Sequence, residues 1–203
     1  MTRTVVLTAG LLTVALLLTA CGGEPVTPTK ASTSSLLPPA SDTPSAAATS
    51  AAIVVDETLI DYLPIEVAGV ALTSDPDTAG EIASDPDLAA SASAITVAFA
   101  IAPGASVGDD VAVASVVRLK PGVFDAEFFR SWRDSYDEAA CEAAGGTAGN
   151  AQAEIGGRAT DIGTCAAGAH TYHVYLEASN VIVSVTSVGE LRLGEQIVAG
   201  LRE

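Results

Sequence analysis

Residues 24 to 52 read EPVTPTKASTSSLLPPASDTPSAAATSAA, and this stretch sets the first limit on what the chain can fold into. It is almost entirely Pro, Ser, Thr and Ala. Its few apolar side chains, Val26, Leu36 and Leu37, follow neither a helical nor a strand period, so burial cannot offset the cost of ordering them. The composition predicts a flexible tether with an r.m.s. reach of about 30 Å, more where Pro stiffens it. Any packed structure must come from residues 53–203, roughly the size of one domain with one core. High Ala and Gly content there means few large anchors, and no long internal repeat is visible.

Ahead of the tether, Arg3 is the only charge before Glu24, and an apolar run from Val5 to Leu18 is broken only by Thr8, Gly10 and Thr13. These are the n-region and h-region of a signal peptide, short of the ~20 residues that a spanning helix needs. The run ends Leu18-Thr19-Ala20-Cys21-Gly22, an aliphatic residue, two small ones and a cysteine. This resembles the lipobox of bacterial lipoproteins. The resemblance implies a diacylglyceryl group on the Cys21 thiol, cleavage before it, and acylation of the new N-terminus. One acyl chain binds membranes marginally, whereas two or three on one residue give a lasting anchor. An uncleaved anchor helix and an incidental cysteine in an ordinary signal peptide are the competing readings. The expected organisation is a signal peptide at 1–20, a lipidated Cys21 with its linker at 21–52, and a domain at 53–203. The expected location is the extracytoplasmic face of a bacterial cell membrane, with the membrane itself as partner through Cys21.

The chain has a formal net charge of −16, and removing residues 1–20 with Arg3 makes it more negative by one. Such a balance argues against nucleic acid, whose phosphates demand Lys and Arg. It also disfavours electrostatic adhesion to anionic lipid. No basic residue lies between Lys30 and Arg118, while acidic residues recur throughout that interval. A solvated, self-repelling surface accounts for this, with a cationic partner or divalent cations as alternatives.

Two Ser-Asp-Pro-Asp tetrapeptides, at 74–77 and 84–87, invite a calcium reading. A calcium loop beginning at Asp75 would need oxygen ligands where Ala79 and Pro86 stand. Helix capping fits better: Asp75 and Asp85 as N-caps, Pro76 and Pro86 at the first helical position, Asp77 and Asp87 facing the helix dipole. Gly104-Ala105-Ser106-Val107-Gly108 matches the G-x-S-x-G nucleophile elbow, which requires a strand turning into a helix. Here AITVAFAIA (94–102) precedes it and VAVASVVRL (111–119) follows, both β-branched strands, so Ser106 sits in a hairpin loop.

PGVFDAEFFRSWRDSYDEAAC is the clearest helix. Asp125 caps it, and Phe128, Phe129, Trp132, Tyr136, Ala139 and Ala140 recur at helical spacing. That stripe makes it the expected main hydrophobic contributor, with a ligand-lining role as the alternative. Arg130 with Asp134, and Arg133 with Asp137, read as i,i+4 pairs on its other side. Residues 56–63 read as a short helix stopped by Pro64 and residues 65–73 as a strand. Hairpins turn at Gly156-Gly157 and at Ser179-Asn180, and a helix closes the chain over 189–201. The expected fold is α+β, an antiparallel sheet covered by helices. Its order, ending strand then helix, is similar to small extracytoplasmic sensor-like and PsbP-like domains, an architectural likeness that carries over no residues or ligands.

With Cys21 assigned to lipid, Cys141 and Cys165 form an even pair in a compartment that permits disulfides, and bridging them is the expectation. Joining them with His170 and His173 around zinc is less consistent. The close Cys-x₂₋₄-Cys knuckle is missing, and in a strand the two histidines point to opposite faces. No motif implies a cofactor. The expected function is a non-enzymatic, lipid-tethered domain that binds an envelope ligand or protein. A hydrolase using Ser106 with His170 or His173, and a metal-binding lipoprotein using the acidic 56–87 region or the histidines, are the alternatives.

Overall fold

The computed structural model describes residues 52–104 and 109–203. The expected signal peptide at 1–20, Cys21, all but the last residue of the expected linker, and Ser106 lie outside the described residues. In chain order the strands are β1 (Val54–Val55), β2 (Glu66–Val67), β3 (Val70–Ala71), β4 (Thr73–Ser74), β5 (Ala92–Ile101), β6 (Val111–Leu119), β7 (Thr147–Ile155), β8 (Arg158–Cys165), β9 (His170–Leu176) and β10 (Val181–Val188). The helices are α1 (Pro76–Ala83), α2 (Leu88–Ser91), α3 (Ala126–Glu142) and α4 (Leu193–Ala199), with 3-10 turns at Glu57–Tyr62 and Glu177–Ser179. Eight strands form one sheet in the order β1-β5-β6-β10-β9-β8-β7, with β4 also on β5. Only β1 runs parallel to its neighbour; every other pairing in the sheet is antiparallel. The fold is α+β, as the alternating β-branched runs and amphipathic segments imply.

The connection that shapes the molecule is α3. It leaves β6 and delivers the chain to β7 at the far edge, and three successive hairpins then bring it back until β10 pairs with β6. Helix α3 therefore crosses one face of the sheet over β10, β9 and β8. On the opposite face, Leu59 in the first 3-10 turn, Leu63 just after it, and Leu193, Ile197, Val198 and Leu201 around α4 pack onto β6, β9 and β10. All six are buried, Leu201 the most exposed of them at 5%. This is the larger core.

The hydrophobic role expected of α3 is therefore corrected. Its fully buried residues are Asp137 and Cys141, while Phe128, Trp132 and Tyr136 are half-buried. Strand alternation explains the asymmetry. In β10, Val181, Val183 and Val185 enter the larger core, whereas Ile182, Ser184 and Thr186 face α3. The face beneath α3 is thus partly polar, and the helix joins it by polar and covalent links as well as by Phe128, Phe129 and Trp132 packing on a smaller apolar cluster around Ile95, Val117 and Ile182.

Two local expectations also change. Residues 65–73 form a tight β2–β3 hairpin instead of one strand, with Ala68 at φ 50 and Gly69 at φ 75. Positive φ at both central positions is what a two-residue type I′ turn requires. Capping by Asp75 holds, its carboxylate accepting from the Thr78 N–H at 3.0 Å with Pro76 at the first helical position. The second helix is a single turn starting at Leu88. Asp85 stands before it, its side chain accepting from the Asp87 N–H at 2.8 Å and its carbonyl from the Ala89 N–H at 3.1 Å.

Candidate functional site

Helix α3 presents two ridges. Ser131, Ser135 and Ala139 recur every fourth residue, so one flank of the helix is low. Opposite it, α2 is too short to fill the helical layer. Between α1–α2 and α3 there remains a groove of about 540 Å³, within the ~300–1,000 Å³ range of small-molecule sites. Ile95 and Val97 of β5 with Val113, Ser115 and Val117 of β6 make its floor, because these odd-numbered positions share one face. Ile82 and Leu88 form one wall, and Phe128, Trp132 and Tyr136 form the other. The lining is predominantly apolar, interrupted by the hydroxyls of Thr78, Ser91, Ser115, Ser131, Ser135 and Tyr136. Other depressions of similar volume occur, such as the one beside Glu138 and Thr147, but they are lined by only a few residues.

The aromatic wall is fixed from behind. Trp132 Nε1 donates to Ser184 Oγ at 3.1 Å, and the Tyr136 hydroxyl accepts from Thr186 Oγ1 at 3.1 Å. Phe128 lies 6.1 Å from the Trp132 ring, and Tyr136 meets the edge of His173 at 5.1 Å. Burial pushes the Tyr136 phenol up, so it stays protonated at neutral pH.

The second ridge of α3 is Arg133, Asp137 and Cys141, again four apart, and each makes a different kind of link to the sheet. Arg133 reaches Asp161 on β8 at 2.9 Å while also holding Asp134. Asp137 accepts from His173 Nε2 at 2.9 Å and from Thr171 Oγ1, both on β9. Cys141 is bridged to Cys165 on β8, with Cα atoms 5.1 Å apart. The i,i+4 pairs expected on the helix surface are corrected accordingly: Asp134 is taken by Arg133 instead of Arg130, and Asp137 turns inward. The expected disulfide is present, and it closes a segment of 24 residues in sequence separation. In the chain-entropy picture such a loop contributes about 3–4 kcal/mol.

Asp137, His173 and Ser184 form a continuous chain of hydrogen bonds. His173 Nδ1 is 3.0 Å from Ser184 Oγ. An ionised carboxylate only accepts, so Nε2 carries a proton toward Asp137; Nδ1 shares the second bond with the Ser184 hydroxyl, whose oxygen also accepts from Trp132. Burial pushes the Asp137 carboxyl up, but the hydrogen bonds from His173 and Thr171 outweigh it and hold the group below the ordinary carboxylate range. Space for this carboxylate depends on Gly163: a Cβ there would sit 2.6 Å from Asp137 Oδ2 and closer still to Thr171 Oγ1. The residues are those of an acyl-transfer triad, yet Ser184 and His173 are both 0% exposed and Asp137 is 2% exposed. A nucleophile needs a route to substrate. In this geometry the chain of bonds anchors α3 and orients Trp132.

Among the residues singled out from sequence, Cys141 and Cys165 are brought together, which withdraws both thiols from any zinc set. His173 is buried under α3. His170, half-buried, lies with Tyr172 on the other strand face, as alternation requires, its Nδ1 3.4 Å from Thr164 Oγ1. No group of three or more His, Cys, Asp or Glu among the described residues is placed to hold a metal ion. In the acidic 56–87 segment, Asp56 caps the first 3-10 turn and pairs with Arg118 at 3.1 Å, and Asp75 caps α1. No helix among the described residues is long and apolar enough to cross a membrane. The Ser184–His173–Asp137 chain was missed from sequence, and of the groove only the aromatic wall was legible, as the ligand-lining alternative for the α3 stripe. Alternating polar residues in VIVSVTSV and HTYHVYL were the available signal. Comparison with family models, with curated proteins and with solved structures finds no match.

Proposed function

We propose that the chain is a lipoprotein anchored through lipid on Cys21 at the outer face of a bacterial membrane, and that its domain binds an apolar ligand in the groove between α1–α2 and α3. The lipobox-like Leu18-Thr19-Ala20-Cys21 supports the anchor. The observation that carries the binding role is the groove itself, an apolar trough with a buried strand floor and an aromatic wall held in place by Ser184 and Thr186. A cluster of apolar surface left open to water beside convergent hydroxyls is the usual signature of a ligand site. A non-enzymatic reading is favoured because His173 spends both ring nitrogens inside the protein.

Trp132 is the only tryptophan of the chain and lines the groove, so its emission reports occupancy. A neutral apolar probe such as decanol is expected to shift that emission saturably. Ala139→Phe and Ser135→Phe, which fill the trough from exposed positions on α3, are expected to weaken binding about tenfold or more. Unaltered binding in both variants would move the site elsewhere.

A further inference from the structure

Resting on the reading of this groove as the binding site, we infer that its ligand ends in a hydrogen-bond-donating group without negative charge, an ammonium or polyol head on an apolar body. The lining contains two charged residues, Asp85 and Asp87, and both are acidic. They stand at the α2 end, exposed, with only one Asp85 oxygen used locally, accepting from the Asp87 N–H at 2.8 Å. Asp77 and Glu81 on α1 add to the same negative field.

No Lys, Arg or His lines the groove. Among the cations on neighbouring elements, Arg130 on α3 is exposed and outside the lining, and three others have partners. Lys120 donates to the Ala89 carbonyl, Arg118 pairs with Asp56, and Arg133 is held by Asp134 and Asp161. Although Lys120 brings one positive charge to α2, the lining itself holds two carboxylates and no cation, so a carboxylate or phosphate head meets a net repulsion that discriminates against anionic amphiphiles. Donor groups gain the opposite: charge-assisted hydrogen bonds to Asp85 or Asp87. Serine hydroxyls along the trough accept further donors, and an ammonium also gains from an aromatic face. The acidic pair does not make the site; it selects among apolar ligands that the trough admits.

The test compares decylamine, decyl glucoside and decanoate on the full chain, below micelle-forming concentrations and at low salt, read by Trp132 emission. Ala139→Phe serves as the control for binding outside the groove. Decylamine, decyl glucoside or both should bind about tenfold or more tightly than decanoate. Whichever leads identifies the head as ammonium or polyol. Asp85→Asn with Asp87→Asn should bring decanoate to within about twofold of the leading ligand. Decanoate binding as tightly as the others, or a ranking unchanged in the double variant, overturns the charge selection while leaving the groove in use. If none of the three, nor decanol, perturbs Trp132, the groove reading itself fails and the selection with it.

Discussion

Asp137 shows how a single side chain can be misplaced by local rules and corrected by its surroundings. Four residues after Arg133 on a helix, it reads as half of a surface ion pair. In the fold it is buried beneath α3, accepting from His173 and Thr171. Its pKa in the folded state lies below that of the unfolded chain, where an aspartate titrates near ~3.9. The folded protein therefore holds fewer protons than the unfolded chain in that window. The stability this contributes is fully present above the unfolded value and is lost as pH falls through the folded one. Asp137→Asn should lower the melting temperature near pH 6, by about 1–3 kcal/mol of stability. It should also flatten the fall in melting temperature between pH 5 and 2 relative to wild type, and parallel profiles would show that Asp137 is not a source of the acid sensitivity. The helix-surface pattern could not reveal this because the information sits in other segments. His173, Ser184 and Thr186 are polar residues at alternate positions of apolar strands, and they betray a polar face only once it is known which helix crosses it.

Elements were more legible than residues, and the exceptions share a cause. β5, β6, β9 and β10 announce themselves as β-branched runs, and α3 by its cap and period, because each is long enough for periodicity to outweigh local noise. Residues 65–73 looked like one strand because Ala68-Gly69 lacks the Asn-Gly or Asp-Gly signature of a type I′ turn. The weight given to α3 failed for another reason: an aromatic stripe shows which residues share a face, not whether that face is covered. One side of the stripe rests on the sheet and the other borders the groove. Replacing Trp132 with Ala should therefore cost less than the ~3–5 kcal/mol of a fully buried aromatic. Leu59→Ala, at a 0% exposed position in the larger core, should cost the ~2–5 kcal/mol of a cavity-forming change. Urea denaturation of the two variants, matched for m-value, separates them. A larger loss for Trp132→Ala would relocate the dominant core to the α3 side.

For the whole molecule, the groove depends on an arrangement that no linear pattern encodes. α1 and α2 precede β5, and α3 follows β6, so the two walls meet over one face only because β5 and β6 are adjacent and β10 pairs on the far side of β6. The acidic surface around it and the proposed anchor then act together. A strongly negative domain gains little from an anionic membrane surface, so lasting residence there would have to come from acyl chains on Cys21. Cys21→Ala in a lipoprotein-processing bacterial host is expected to abolish incorporation of labelled palmitate and to leave the leader uncleaved, seen as a heavier species on intact mass. On the proposed reading the Cys141–Cys165 bridge has a separate source, the oxidising compartment to which the proposed leader would direct the chain. It should therefore still form in the Cys21→Ala protein, read as two non-reactive thiols before reduction and two alkylated ones after it. Normal processing and continued labelling of that variant would remove the anchor. Free Cys141 and Cys165 in the wild-type protein would place the domain in a reducing compartment instead.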